Sequence, residues 1–214
     1  AEAFGSLYEG KHVGQFGDVA TYSFFGNKTI TCGEGGMVVT NNQTLHDRCK
    51  SIKGQGLARH REYWHDIIGY NYRMTNICAA IGYSQLEQRN QILTRKRELA
   101  EAYKNHFKDT AICYHKEKSN AYHSYWMFSV TMEVTEEQRD RIRQRLDQKN
   151  IETRPLFYPV HTMPMYSQNY ELHPISETIS RKGFNIPSYP EITDKEIKYV
   201  ADSIKEAFKE ETGK

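Results

Sequence analysis

The chain has 214 residues, with 29 basic against 27 acidic side chains and a formal net charge of +2. That length suits one large domain or one and a half ordinary ones, and the near balance of charge offers no bulk attraction for nucleic acid or a membrane surface. Cys32, Cys49, Cys78 and Cys113 stand far apart without a C-x-x-C pair, so they read as reduced thiols of a cytoplasmic protein and argue against a disulfide frame or zinc site.

No apolar run approaches a membrane span, and no signal-peptide pattern opens the sequence. Fifteen tyrosines and nine phenylalanines supply amphipathic rings suited to pockets and subunit contacts. The opening Ala1-Glu2-Ala3-Phe4-Gly5 reads like the middle of an element, as if the numbering began inside a longer protein.

In chain order, residues 1–17 form a turn-rich connector with Tyr8, Gly10, Lys11 and Gly14. The stretch from Gly17 to Thr40 organises the rest. Val19 to Phe25 is an apolar, β-branched and aromatic run expected to form a buried strand, and Met37 to Thr40 a second. Between them Gly26-Asn27 breaks the run, Lys28 follows, and Gly33-Glu34-Gly35-Gly36 makes a permissive loop. A lysine on such a hairpin ordinarily points into water. The alternative is an amine that condenses with a carbonyl, which requires the neutral form that apolar surroundings favour.

Leu45 to Ile52 reads as a short amphipathic helix, ended by Lys53-Gly54-Gln55-Gly56. A polar and aromatic loop from Arg59 to Tyr70 leads to Gly69-Tyr70-Asn71-Tyr72-Arg73-Met74. Asn71 reads as a turn or cap residue and Arg73 as an exposed helix-start residue. Met74, Ile77 and Ile81, then Leu99, Tyr103 and Phe107, repeat at helical spacing. The polar Gln88 to Lys96 between them implies two helices or one bent helix.

Beyond residue 110 the texture is that of a small α+β domain. Tyr125 to Met132 is a strand, and Thr135 with Gln138 spaces a capping box for a helix bearing Ile142 and Leu146. Residues 151–153 and 155–160 are extended, since prolines 155 and 159 disfavour helix before them. His161 to His173 is a loop, Pro174 to Arg181 a short helix and Gly183 to Pro187 a short strand. Thr193 and Glu196 cap a last helix with Ile197, Val200, Ala201, Ile204 and Phe208 on one face.

Several chemistries lack their patterns. No G-x-x-x-x-G-K-S/T phosphate loop occurs, His60 and His65 have no cysteine pair beside them, and Ser23 sits in Tyr-Ser-Phe instead of G-x-S-x-G.

The run G-D-V-A-T-Y-S-F-F-G-N-K-T-I-T-C-G-E-G-G resembles the cofactor-lysine signature of the DegT/DnrJ/EryC1/StrS nucleotide-sugar aminotransferases. G-Y-N-Y-R-M-T-N-I-C-A-A-I-G, R-P-L-F-Y-P-V-H-T-M-P-M-Y and F-N-I-P-S-Y-P extend the resemblance over essentially the whole chain. It implies an α/β, fold-type I transferase of the aspartate aminotransferase kind. Residues 1–109 would be the C-terminal part of a large, mainly parallel-sheet domain with interdomain helices, and residues 110–214 a small α+β domain.

It further implies pyridoxal 5'-phosphate (PLP) as cofactor and Lys28 as the Schiff-base lysine. A relative that dehydrates its sugar carries histidine at that position, so lysine argues for transamination. Ser23 would bond the cofactor phosphate, and Asn71 would reach the partner subunit's phosphate across a dimer interface. Arg73 would support that anionic region, and His161 would meet the sugar nucleotide. The wording most resembles enzymes that aminate C4 of a GDP-linked 4-keto-6-deoxy sugar with glutamate as donor, in homodimers that can pair further into tetramers. Two alternatives stay open: a dTDP- or UDP-linked keto sugar, or a non-catalytic C-terminal fragment that only binds. The family's carboxylate against the pyridine nitrogen would precede Ala1 by two residues; Glu2 belongs to that stretch without occupying its place.

Overall fold

A computed structural model describes residues 1–167 and 171–213. The described chain forms two compact units, Ala1–Thr94 with Glu117–Trp126, and Arg95–Lys116 with Met127–Lys214.

In the first unit, β1 (Leu7–Tyr8) and β2 (Lys11–His12) make a minimal hairpin, and β1 also pairs with a strand at Ala121–Tyr122. Glu9 and Gly10 both take positive φ, the requirement of a two-residue turn that follows strand twist. Strands of two residues carry no readable alternation, so the sequence shows only a connector there. Next, β3 (Ala20–Ser23) pairs antiparallel with β4 (Gly36–Val39) in register Ala20 to Val39 through Ser23 to Gly36. Helix α1 (Gln43–Lys53) starts at Asn42, whose side chain accepts from the Thr44 and Leu45 amides.

Two helices then follow, α2 (Asn76–Glu87) and α3 (Arg89–Phe107), separated at Gln88. The cap of α2 is Thr75, whose hydroxyl accepts from Cys78 N–H at 3.3 Å. Neither Asn71 nor Arg73 starts this helix, because Thr75 holds the extended conformation and the accepting oxygen that end the preceding loop. The periodic Ile77 and Ile81 are not buried on α2 as core residues would be; Ile77 is 76% exposed.

The second unit is built on a four-stranded antiparallel sheet in the order Cys113–Tyr114, Phe128–Thr131, Gly183–Ile186, Arg154–Pro155. Its strands are β5 (Cys113–Tyr114), β7 (Phe128–Thr131), β8 (Arg154–Pro155) and β9 (Gly183–Ile186), with β6 being the Ala121–Tyr122 strand of the first unit. Helices α4 (Glu136–Gln148), α5 (Pro174–Lys182) and α6 (Asp194–Thr212) complete it. Phe128, Val130 and Phe184 of the sheet are fully buried, as are Leu99, Tyr103, Ile142, Leu146, Ile197, Ala201 and Ile204 of the helices. Each such Leu, Ile or Phe contributes about 1.5–3 kcal/mol through its burial. Both expected capping boxes form, Thr135 with Gln138 and Thr193 with Glu196.

The units interleave across the border expected after residue 109. Tyr103 and Phe107 belong to the second core, where Tyr103 lies 5.2 Å from Phe128, whereas residues 117–126 join the first unit through the pairing of β6 with β1. All strand pairs among the described residues are antiparallel.

Candidate active site

The β3–β4 connection is an ordered loop with Phe24 as its backbone anchor. Phe24 O accepts from Cys32 N–H at 2.9 Å and from the Thr31 hydroxyl at 3.0 Å, while Phe24 N–H donates to Gly35 O at 2.9 Å. Ile30 and Cys32 are buried and fasten the loop from below. Burial, with Cys78 and Glu34 adding, raises the pKa of the Cys32 thiol, so it stays protonated and structural. A side chain on Gly35 would meet Cys32 Sγ and Met74 Cε within 3 Å, and φ there is +153°. Glycine is needed at that point both for space and for conformation.

Lys28 sits on the turn, its amide donating to Phe25 O at 3.0 Å. Its side chain is only 14% exposed, against the expectation for a lysine on a hairpin tip. Nζ lies 3.4 Å from Glu2 Oε1 and 3.7 Å from the centroid of the Trp126 ring. Both are contacts of an ammonium group. Trp126 is tied to the same turn, because its indole N–H donates to Asn27 O at 2.7 Å. Neither Trp126 nor the Glu2 contact was visible in the sequence. Trp126 read as one aromatic of a strand, and nothing in local spacing joins it to residue 28.

Ser23 closes β3 opposite Gly36, and its Oγ accepts from Phe25 N–H at 3.4 Å. A hydroxyl that accepts retains its proton for donation to an anion. Asn71 and Arg73 form a cluster of their own, with Arg73 Nε donating to Asn71 Oδ1 at 3.3 Å and Nη2 to Gln55 Oε1 at 3.4 Å. Tyr70 and Tyr72 flank them as a stacked pair with centroids 5.1 Å apart. A cleft of about 320 Å³ is lined by Phe4, Gly14, Ala20 and Tyr22 among others, and neither Lys28 nor Ser23 borders it.

In the second unit, His161 lies on a short 3-10 turn, Val160–Thr162. Its Nε2 is 3.2 Å from Glu177 Oε1, and its ring meets that of His173 edge-to-face at 4.6 Å.

Lys28 offers a part-buried primary amine that can bond a carbonyl, and Ser23 a hydroxyl that can donate to a phosphate. The amide and guanidinium of Asn71 and Arg73, groups that can bind an anion, lie in their separate cluster.

The signature of the DegT/DnrJ/EryC1/StrS aminotransferase family matches residues 1–205. The chain belongs to that family. A GDP-perosamine synthase of Escherichia coli is 58% identical over 97% of the chain, and one of Vibrio cholerae is 46% identical over 97%. This family member spans 57% and 58% of the length of those two relatives. A chain assigned as a sugar aminotransferase of Streptococcus pneumoniae, solved in PMP-form, superposes on the whole chain and 57% of its own length with a TM-score of 0.93 at 21% identity. The fold is accordingly the α/β, fold-type I architecture that the sequence implied.

Proposed function

We propose that the full protein carrying this chain is a PLP-dependent aminotransferase that converts GDP-4-keto-6-deoxymannose to GDP-perosamine with glutamate as amino donor. The observation that carries the reading is Lys28: a sheltered amine on a braced glycine-flanked turn, in a chain 58% identical to a GDP-perosamine synthase. PLP-form and PMP-form structures of the Streptococcus pneumoniae neighbour support the cofactor assignment. The product would feed O-antigen and lipopolysaccharide biosynthesis in the cytoplasm.

When bound, PLP supplies an electron sink for the carbanion formed at the donor's Cα. The remaining work falls to side chains. Lys28 Nζ would hold the cofactor and, as a free amine, would take the proton from the donor's Cα. Ser23 Oγ donates to the phosphate, and Asn71, steadied by Arg73, donates to the phosphate held by a second subunit. His161 hydrogen-bonds the sugar nucleotide. Residues 1–94 with 117–126 would contribute to a large cofactor-binding domain, and residues 95–116 with 127–214 would form the small domain. The exposed Tyr70, Tyr72, Ile77 and Tyr83 support a homodimer that shares its sites, with room for dimers to pair into tetramers.

Lys28→Ala in the full-length protein is expected to abolish the visible absorbance of lysine-bound PLP and to stop turnover. Full activity in that variant overturns the assignment. Half-reactions with GDP-, dTDP- and UDP-linked keto sugars test the substrate, and absence of turnover with the GDP sugar rejects it.

A further inference from the structure

We propose that Glu177 is a positioning residue for His161, and through it for the sugar nucleotide; the inference rests on the reading that His161 meets the substrate. Glu177 belongs to α5 and its side chain is 10% exposed. One carboxylate oxygen, Oε1, faces two donors: His161 Nε2 at 3.2 Å and the His173 backbone N–H at 3.1 Å. His173 is the N-cap of α5, whose first turn opens with Pro174. Its amide is one of the groups a helix start leaves without an intrahelical partner. Glu177 therefore joins the turn that carries His161 to the start of α5 through a single atom.

Arg181, one helical turn on, also lies near the carboxylate, with Nη1 3.9 Å from Oε2. That position is half solvent-exposed and holds the second oxygen loosely. An acid serving the helix alone would remain in water, where first-turn glutamates already gain from the N-terminal field. Burying it costs free energy unless donors meet it, and His161 and the His173 amide are among the donors that do. An ionised carboxylate only accepts, so His161 must carry its proton on Nε2. That bond fixes the tautomer and the plane of the ring. The edge-to-face contact with His173 restricts the same ring from a second direction. A ring ordered in advance loses less freedom when substrate arrives, so the acceptor contributes to binding without touching the chemistry at Lys28.

The test is a double-mutant cycle in the full-length protein with PLP bound, using His161→Ala, Glu177→Gln and both together. KM for the GDP-linked keto sugar and the Kd of GDP-perosamine, the latter by calorimetry, are read for each. We expect E177Q to raise both about tenfold with kcat within about twofold and the absorbance of Lys28-bound cofactor unchanged. We also expect E177Q to add nothing once His161 is alanine. If E177Q leaves Kd unchanged, or adds its full effect in the H161A background, the positioning role is overturned. If H161A itself leaves KM and Kd unchanged while Lys28 still binds cofactor, the substrate role of His161 falls and the proposal with it, but the aminotransferase reading stands. Where E177Q does not accumulate folded, Glu177→Asp keeps the charge and withdraws the oxygen by one methylene; the same non-additivity is expected, and additivity overturns the proposal.

Discussion

Lys28 and Lys96 are both withdrawn from water, for different ends. Lys28 is held beside Glu2 and Trp126 at the candidate site, whereas Lys96 is 5% exposed in the second unit and donates to Ser188 O. Burial pulls the Lys96 pKa down to about 8, with Glu191 opposing. The folded value thus lies below the unfolded one, near 10.5. Below pH 8 both states carry the proton and the full cost of burying charge is present. Between about pH 8 and 10.5 the unfolded chain binds more protons, so stability rises with pH. The rise attributable to this group is up to about 3 kcal/mol. Tyr103 acts in the opposite sense: burial raises its phenol's pKa, so its contribution is lost as pH climbs above the unfolded tyrosine value. Urea unfolding at pH 7.5, 8.5 and 9.5 should therefore show increasing stability, and Lys96→Met should flatten that increase. The sequence placed Lys96 at the end of a polar run and gave no sign of its burial, because the atoms that enclose it, Ser188 among them, come from more than ninety residues away.

At the scale of elements, two glycines of the β3–β4 hairpin face opposite demands. A methyl group on Gly36 would lie 2.6 Å from Tyr22 O, a backbone atom of the paired strand. Gly36→Ala must spread the strands beside Ser23, and overpacking of this kind costs about 1–3 kcal/mol. Gly26, on the same loop, has nothing within 4 Å of an added methyl and no left-handed φ. Chemical denaturation midpoints should drop for G36A and hold for G26A. A comparable drop in both would mean that the loop, and not the strand contact, sets the cost.

The helices were the most legible elements. Thr135 with Gln138 and Thr193 with Glu196 are short-range patterns whose physics is local, and both caps form as spaced. The stripe of α6 is likewise buried residue for residue, from Ile197 to Phe208. The stripe of α2 is not, since periodicity reports that an apolar face exists and cannot say what covers it.

For the whole molecule, Ile77 and Tyr83 on α2, with Tyr70 and Tyr72 ahead of it, are among the exposed apolar side chains, and the proposed dimer would cover them. Among the described residues no helix is long and apolar enough to cross a membrane. The full-length protein is expected to have the mass of a dimer by light scattering, and Ile77→Glu is expected to shift it toward monomer. A monomeric wild type, or an unaffected I77E dimer, would move the interface elsewhere.

The sequence by itself determined the turn that bears Lys28, the two capping boxes, the α6 stripe and the family. Each rests on neighbours within a few residues or on an ordered wording that local conformation demands. Only tertiary structure decided that Trp126 lies under the Lys28 amine, that Glu177 binds His161 and the His173 amide through one oxygen, and that residues 95–109 and 117–126 change sides of the expected border. Those outcomes depend on which distant side chains meet. Hydrophobic burial is non-directional and leaves no spacing rule in the chain by which such meetings could be read.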